Sequence, residues 1–245
     1  MSGLLLRLAA PLQSWGEHSA FARRDTQPFP TRSGLIGMFA AAHGIERTDD
    51  ESLARLDRLQ FTIRIDRPGI HIRDYHTVGG GRSPHHTVPT AEGKRRSAGK
   101  GTIVTNRYYL SDAAFTVAVE GPDDTVAELA VALNNPRWQP YLGRRSCPPE
   151  QPLLIGNSDT PVQDLHTKVP IHARHRFSID VVTDHPTETG SATEIADVAV
   201  SFDPLRRRYL SRTVTVTAHS DVAEELWHTR SIDYQQALFT YMGVS

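Results

Sequence analysis

The chain has 245 residues, a formal net charge of −1, 38% hydrophobic and 22% charged residues, and a single cysteine. That length predicts one large domain or two small ones, and that composition excludes a chain disordered throughout. The longest apolar runs are five residues, far below the roughly 20 that a membrane-spanning helix needs, and one cysteine excludes an intrachain disulfide or a cysteine zinc cluster.

The first eleven residues carry no basic leader, and Arg7 interrupts an apolar stretch already short for a signal peptide. They predict a buried first strand over 3–9 in a cytoplasmic chain. Residues 11–32 hold three prolines, Gly16, Trp15 and Arg23-Arg24 without periodicity. They predict a long ordered loop, a kind of segment that usually carries function. Ser33 caps a predicted helix to about His43, with Leu35, Ile36, Phe39 and Ala40 on one stripe and Gly44 as its stop. A short helix over about 50–58 follows Thr48-Asp49-Asp50, and 61–67 alternates as a strand.

Residues 70–78, 102–110 and 114–119 alternate again. Between the first two lies 79–101, rich in glycine and basic residues, which predicts the projecting tip of a β-hairpin. Pro122-Asp123-Asp124 opens a helix to about Leu133, and a strand near 152–156 closes the unit. The predicted fold class is α+β: this order is the ferredoxin-like split βαβ arrangement. After about residue 160, alternation at 175–183, 195–202 and 207–217, with a last helix near 221–241, predicts a small strand-rich C-terminal part. The expected division is 1–160, with the hairpin over about 70–110, and 161–245.

The near-neutral total hides segregated charge. Residues 178–203 contain six acids and no Lys or Arg, whereas 79–101 carries a local +4 from Arg82, Lys94, Arg95, Arg96 and Lys100 against Glu92. Arg23-Arg24, Arg144-Arg145 and Arg206-Arg207-Arg208 form three further clusters. Nucleic-acid binding depends on the local field over a groove, so the total does not exclude it.

Several enzyme templates fail. There is no Walker A run, Gly79-Gly80-Gly81 precedes no helix, and no G-x-S-x-G elbow exists. His85-His86 on an extended tip point apart, and neither they nor His172-x-x-His175 have an obvious carboxylate partner for a metal. Four features favour RNA. Lys94, Arg95, Arg96 and Lys100 on the tip can meet phosphates, with glycines letting the chain follow a strand closely. The helix start Thr31-Arg32-Ser33-Gly34 offers free N–H groups, a hydroxyl and a cation to an anion. Arg144, Arg145 and Ser146 sit on a loop stiffened by Pro148-Pro149. Trp15, Tyr75, Tyr108 and Tyr109, with Arg107 beside them, can stack on unpaired bases. The competing reading of the aromatics is core, and that of the arginines a solvated face. The usual RNP1 signature of an RNA-recognition motif is absent.

The runs LLLRLAAPLQSWG, PTRSGLIGMFAAAHGI and YLGRRSCPPEQPL together resemble the CasD family, the 5′-handle-binding subunits of the type I-E CRISPR complex Cascade. The resemblance covers at least 3–155. It implies a modified ferredoxin-like domain with a thumb hairpin, matched by 79–101. It also implies a non-catalytic subunit that grips the 5′ handle of the crRNA and caps the filament of backbone subunits for antiviral DNA targeting. The implied partners are the backbone subunit CasC and the large subunit CasA in a hetero-oligomeric complex; the family implies no cofactor and no membrane. A type I-C relative cleaves RNA, so the alternative is a metal-independent endoribonuclease. Such chemistry needs a base, an acid and a cation, for which His43, Tyr75 or His76, and Lys94 or Lys100 are the candidates.

Overall fold

The computed structural model describes residues 3–17, 19–20, 22–79, 83, 86–87, 94–95, 97, 101–173, 178–184, 189–203 and 208–244. The first strand, β1 (Gly3–Ala9), is buried on both faces, which its near-continuous leucines require of a central strand. Three two-residue strands punctuate the loop that follows: β2 (Leu12–Gln13), β3 (Ser19–Ala20) and β4 (Arg23–Arg24). Helix α1 (Arg32–His43) has Thr31 as its N-cap, so Ser33 lies inside the first turn and is not the cap. Gly44 ends it at φ 79°, a left-handed backbone that glycine adopts without penalty. Helix α2 (Asp50–Leu56) is capped by Asp49, whose carboxylate accepts from the Ser52 N–H.

The long pairings come next: β5 (Gln60–Arg67), β6 (Ile70–Val78), β7 (Ile103–Ser111) and β8 (Ala114–Glu120). Helix α3 (Asp123–Asn134) carries Asp123 and Asp124 in its first turn, where carboxylates favour the helix dipole. After β9 (Leu154–Ser158) come α4 (Pro161–Thr167), β10 (Ile171–His172), β11 (Ile179–Thr183), β12 (Ser191–Ser201) and β13 (Arg208–His219). The chain closes with β14 (Trp227–His228) and α5 (Ser231–Tyr241). The last helix is thus shorter than the sequence predicts, with β14 inside the stretch expected to be helical; α4 and β10 were not foreseen, although Thr160-Pro161 marks the start of α4.

The large sheet runs β12-β13-β11-β5-β8-β1-β9, with every pairing antiparallel. Leu4, Leu6 and Leu8 of β1 point to the face covered by α1 and α3 and join the main core with Phe39, Phe115 and Leu129. Leu5 points the other way, into a second cluster with Leu165, Tyr234 and Leu238 from α4 and α5. Each leucine so buried contributes about 1.5–3 kcal/mol. Beyond residue 161, β11, β12 and β13 continue the same sheet, with β11 paired to β5, whereas β10 and β14 pair in parallel as a separate two-stranded sheet.

On the α4 side, Arg64 of β5 is almost fully buried, with its Nε 2.7 Å from Asp66 Oδ1. The same guanidinium donates to the carbonyls of Leu165, Val169 and Pro170, where α4 ends. A second, smaller sheet runs β2-β7-β4-β3, with β6 on the other side of β7.

Candidate nucleic-acid interface

The small sheet owes its chemistry to register. Arg73 lies opposite Tyr108, Tyr75 opposite Asn106, and Asp74 opposite Arg107. Side chains alternate between faces along a strand, so His71, Arg73 and Tyr75 share one face with Asn106 and Tyr108. Strand β4 adds to this, because Arg23 aligns with Asn106 and Arg24 with Arg107. The Arg23 guanidinium accordingly sits 5.4 Å from the centre of the Tyr108 ring. Tyr75 is 67% exposed and projects beside this pair. One face therefore offers two aromatic rings with cations between them, the composition on which single-stranded bases stack. The other face carries Arg24 and Arg107, the latter bonded through Nε to Thr105 at 3.3 Å.

The loop over residues 141–147 docks against this sheet. The Ser14 N–H donates to Leu142 O, and Leu142 and Cys147 close the loop on themselves through Leu142 N to Cys147 O at 2.8 Å. Gly143 has φ +83°, and a Cβ there would meet the Ser14 carbonyl oxygen at 1.6 Å. No other residue fits. The turn places Arg144 with its guanidinium 4.6 Å from the Tyr109 ring centre. Its Nη2 donates to the carbonyls of Arg24 and Asp25 at 3.0 and 3.2 Å. Its Nη1 is buried and has no hydrogen-bond partner among the described residues. Arg145 and Ser146 are exposed on the outer side of the same turn. Cys147 is buried, and burial pushes its thiol up, which keeps it out of nucleophilic chemistry.

Three sequence-derived candidates are corrected. Trp15 is 0% exposed, and its indole N–H donates to Gln13 Oε1 at 3.1 Å, so neither face is open to a base. Arg32 is buried over the Phe61 ring and donates to the carbonyls of Leu59 and Asp57. The anion seat at the start of α1 is already filled: the Arg32 backbone N–H donates at 2.6 Å to the carboxylate of Asp197, which Arg212 holds from the other side. Ser33 lies in that same occupied first turn and is only half-buried. A carboxylate 165 residues away has taken the role foreseen for a phosphate.

The remaining candidates fall into groups. Arg23, Arg24, Tyr75, Arg107, Tyr108, Arg144, Arg145 and Ser146 lie on the small sheet or on the loop docked against it. Lys94 and Arg95 are exposed on the 79–101 segment, with Arg95 donating to Thr87 O at 2.6 Å. Arg96 and Lys100 lie outside the described residues, as do Arg82, His85, His175, Arg206 and Arg207. Sequence reasoning missed Arg73 and Asn106; the period-2 alternation around Tyr75 and Tyr108 was the signal that places them on the aromatic face. For the nuclease candidates, His43 has Glu128 and Arg55 as its charged neighbours, whereas Tyr75 and His76 are on β6.

A family model described as CRISPR-associated protein (Cas_Cas5) matches residues 3–215. The chain belongs to this family of CRISPR-associated proteins. It is 43% identical over 167 residues to the CRISPR system Cascade subunit CasD of Escherichia coli (strain K12), a stretch covering 63% of this chain and 70% of that relative. A chain of a CRISPR RNA-guided surveillance complex superposes with a TM-score of 0.87 at 47% identity, over 98% of this chain and 99% of that one. A crystal structure of a Cas protein superposes with a TM-score of 0.62 at 29% identity, over 92% and 98%. The mixed α/β architecture with a large antiparallel sheet is shared with these structures. Among the described residues no helix is long and apolar enough to cross a membrane.

Proposed function

We propose that this chain is the non-catalytic RNA-binding subunit of a type I-E CRISPR surveillance complex, gripping the 5′ handle of the crRNA and capping the backbone-subunit filament. The observation that carries the reading is the aromatic face of the small sheet, which Arg23, Arg73, Tyr75 and Tyr108 share by register, with the Arg23 guanidinium against the Tyr108 ring. Single-stranded RNA is read by splayed bases stacked on rings and guanidinium planes, with cations on the phosphates. The likeness to a chain of an RNA-guided surveillance complex supports the same reading.

Two finer points belong to it. The order β9-β1-β8-β5, with α1 and α3 on one face, supports reading this part as a ferredoxin-like domain of split βαβ plan. The β6–β7 pair with the basic segment 79–101 is then the thumb that lies over the guide, beside the backbone subunit CasC and near the large subunit CasA. In this reading the chain holds the guide RNA and leaves cleavage of the precursor to another subunit. The test is a mobility shift of handle RNA across a salt series. Tyr75→Ala should weaken binding by about 1–3 kcal/mol, and each lost phosphate contact should flatten the salt slope by about 0.7. Unchanged binding in both respects would assign the face to protein contacts. A defined cut in repeat RNA by the purified chain, lost in His43→Ala, would make it a nuclease.

A further inference from the structure

A polar cavity of about 390 Å³ opens where the β6–β7 hairpin leaves the large sheet. It is built from β1, β5, β10 and α5, none of which carries a residue of the RNA interface. Its floor is cationic. The side chains of Arg7 and Arg67 are only 11% and 16% exposed, whereas their carboxylate partners Glu150 and Asp112 are 48% and 58% exposed at the rim. Arg67 donates from Nη1 to His172 Nδ1, so the neutral imidazole carries its proton on Nε2. That Nε2–H faces the Ser231 hydroxyl at 3.5 Å. The ring is held flat against Tyr234, with centroids 4.9 Å apart, and the Arg7 guanidinium lies 5.7 Å from the same Tyr234 ring.

Ser231 also begins α5, and its N-cap Arg230 supplies no side-chain acceptor to the first-turn N–H groups. The cavity thus collects guanidinium, imidazole and hydroxyl groups, with its acids at the solvent edge. The field agrees with this. Burial and then Arg67 and Arg7 hold His172 below its ordinary value, ahead of the opposing Asp112 and Asp66.

We propose that this cavity is a phosphate-class oxyanion site at the root of the hairpin, with Arg7, Arg67, His172 and Ser231 as its donors. A tetrahedral oxyanion there bridges β5 to α5 and so fixes the hairpin root to the C-terminal helix.

The experiment titrates inorganic phosphate into the full chain at constant ionic strength and follows the His172 ring signal by NMR, identified by its loss in His172→Gln. The expected result is a saturable shift that chloride does not reproduce, abolished in Arg7→Gln. Gln235→Glu, an exposed substitution at the cavity mouth that leaves the core untouched, should weaken the binding at least about tenfold by placing a like charge beside the ligand. A shift that fails to saturate, that chloride matches, or that Gln235→Glu leaves unchanged overturns the site. A second arm adds short single-stranded RNA. Displacement of phosphate from His172 assigns the site to a polynucleotide backbone, and retention assigns it to a free anion; either supports the oxyanion chemistry.

Discussion

Two adjacent arginines in the 141–147 loop have been given different work. Arg144 is spent on the protein: it stacks on Tyr109 and donates to the carbonyls of Arg24 and Asp25. Arg145 is exposed on the outer side of the turn. Arg144→Lys should therefore destabilise the fold by about 1.5–3 kcal/mol, because an ammonium cannot stack and fork at once. Arg145→Ala should leave thermal melting unchanged while flattening the salt slope of RNA binding by about 0.7. Melting curves and a salt series on the two single mutants check this pair. Gly143→Ala should damage both properties together, since the left-handed backbone alone costs about 1–2 kcal/mol and the Ser14 carbonyl leaves no room for a Cβ. Loss of RNA binding with an unchanged melting point would contradict that expectation. The sequence gives the stiffness of this loop away through Gly143 and the following prolines. It cannot say which arginine turns inward, because that is decided by Tyr109, Arg24 and Asp25, which lie far off along the chain.

At the scale of elements, the local signals were readable and the long-range ones were not. Helix α1 with its Gly44 stop, the Asp49 cap of α2 and the paired strands β6 and β7 follow from periodicity and capping residues within a few positions. Trp15 and Arg32 had no such signal. Their fates depend on Gln13 folding back to the carbonyls of Leu8 and Ala113, and on Asp197 arriving from β12. Helix α4 is a related case: it is short, and a buried guanidinium from β5 holds its end. Arg64→Met should cost about 3–5 kcal/mol, because Asp66 would remain buried without its cation. Urea unfolding measures this, and a cost below about 1 kcal/mol would mean that the ion pair contributes no more than one at the surface.

On the scale of the whole molecule, three histidines among the described residues couple stability to pH. Burial is the leading cause that holds His43, His166 and His172 below their ordinary value of 6.5, so each stays neutral in the fold. The unfolded chain takes up protons at these positions as the pH falls through about 6.5, and the folded chain does so only at lower pH. Unfolding then binds protons, so stability is fully present above that value and declines on acidification below it. Urea midpoints between pH 8 and pH 5.5 should fall toward the acid end, and His166→Gln should flatten the decline. Joining the C-terminal strands to the large sheet also makes the molecule hard to divide. A chain ending at residue 160 lacks β11, β12 and β13, and should aggregate where the full chain stays monodisperse in light scattering.

The pairing of β5 with β11 has a further consequence, in time. Ile63 finds its partner in Val182, which leaves the ribosome well over a hundred residues later. At about 5–20 residues per second that interval is on the order of ten seconds. During it the growing chain presents an unfilled strand edge in the middle of its future sheet, open to a chaperone or to a neighbouring nascent copy. Slower translation between those two strands should therefore lower the soluble yield.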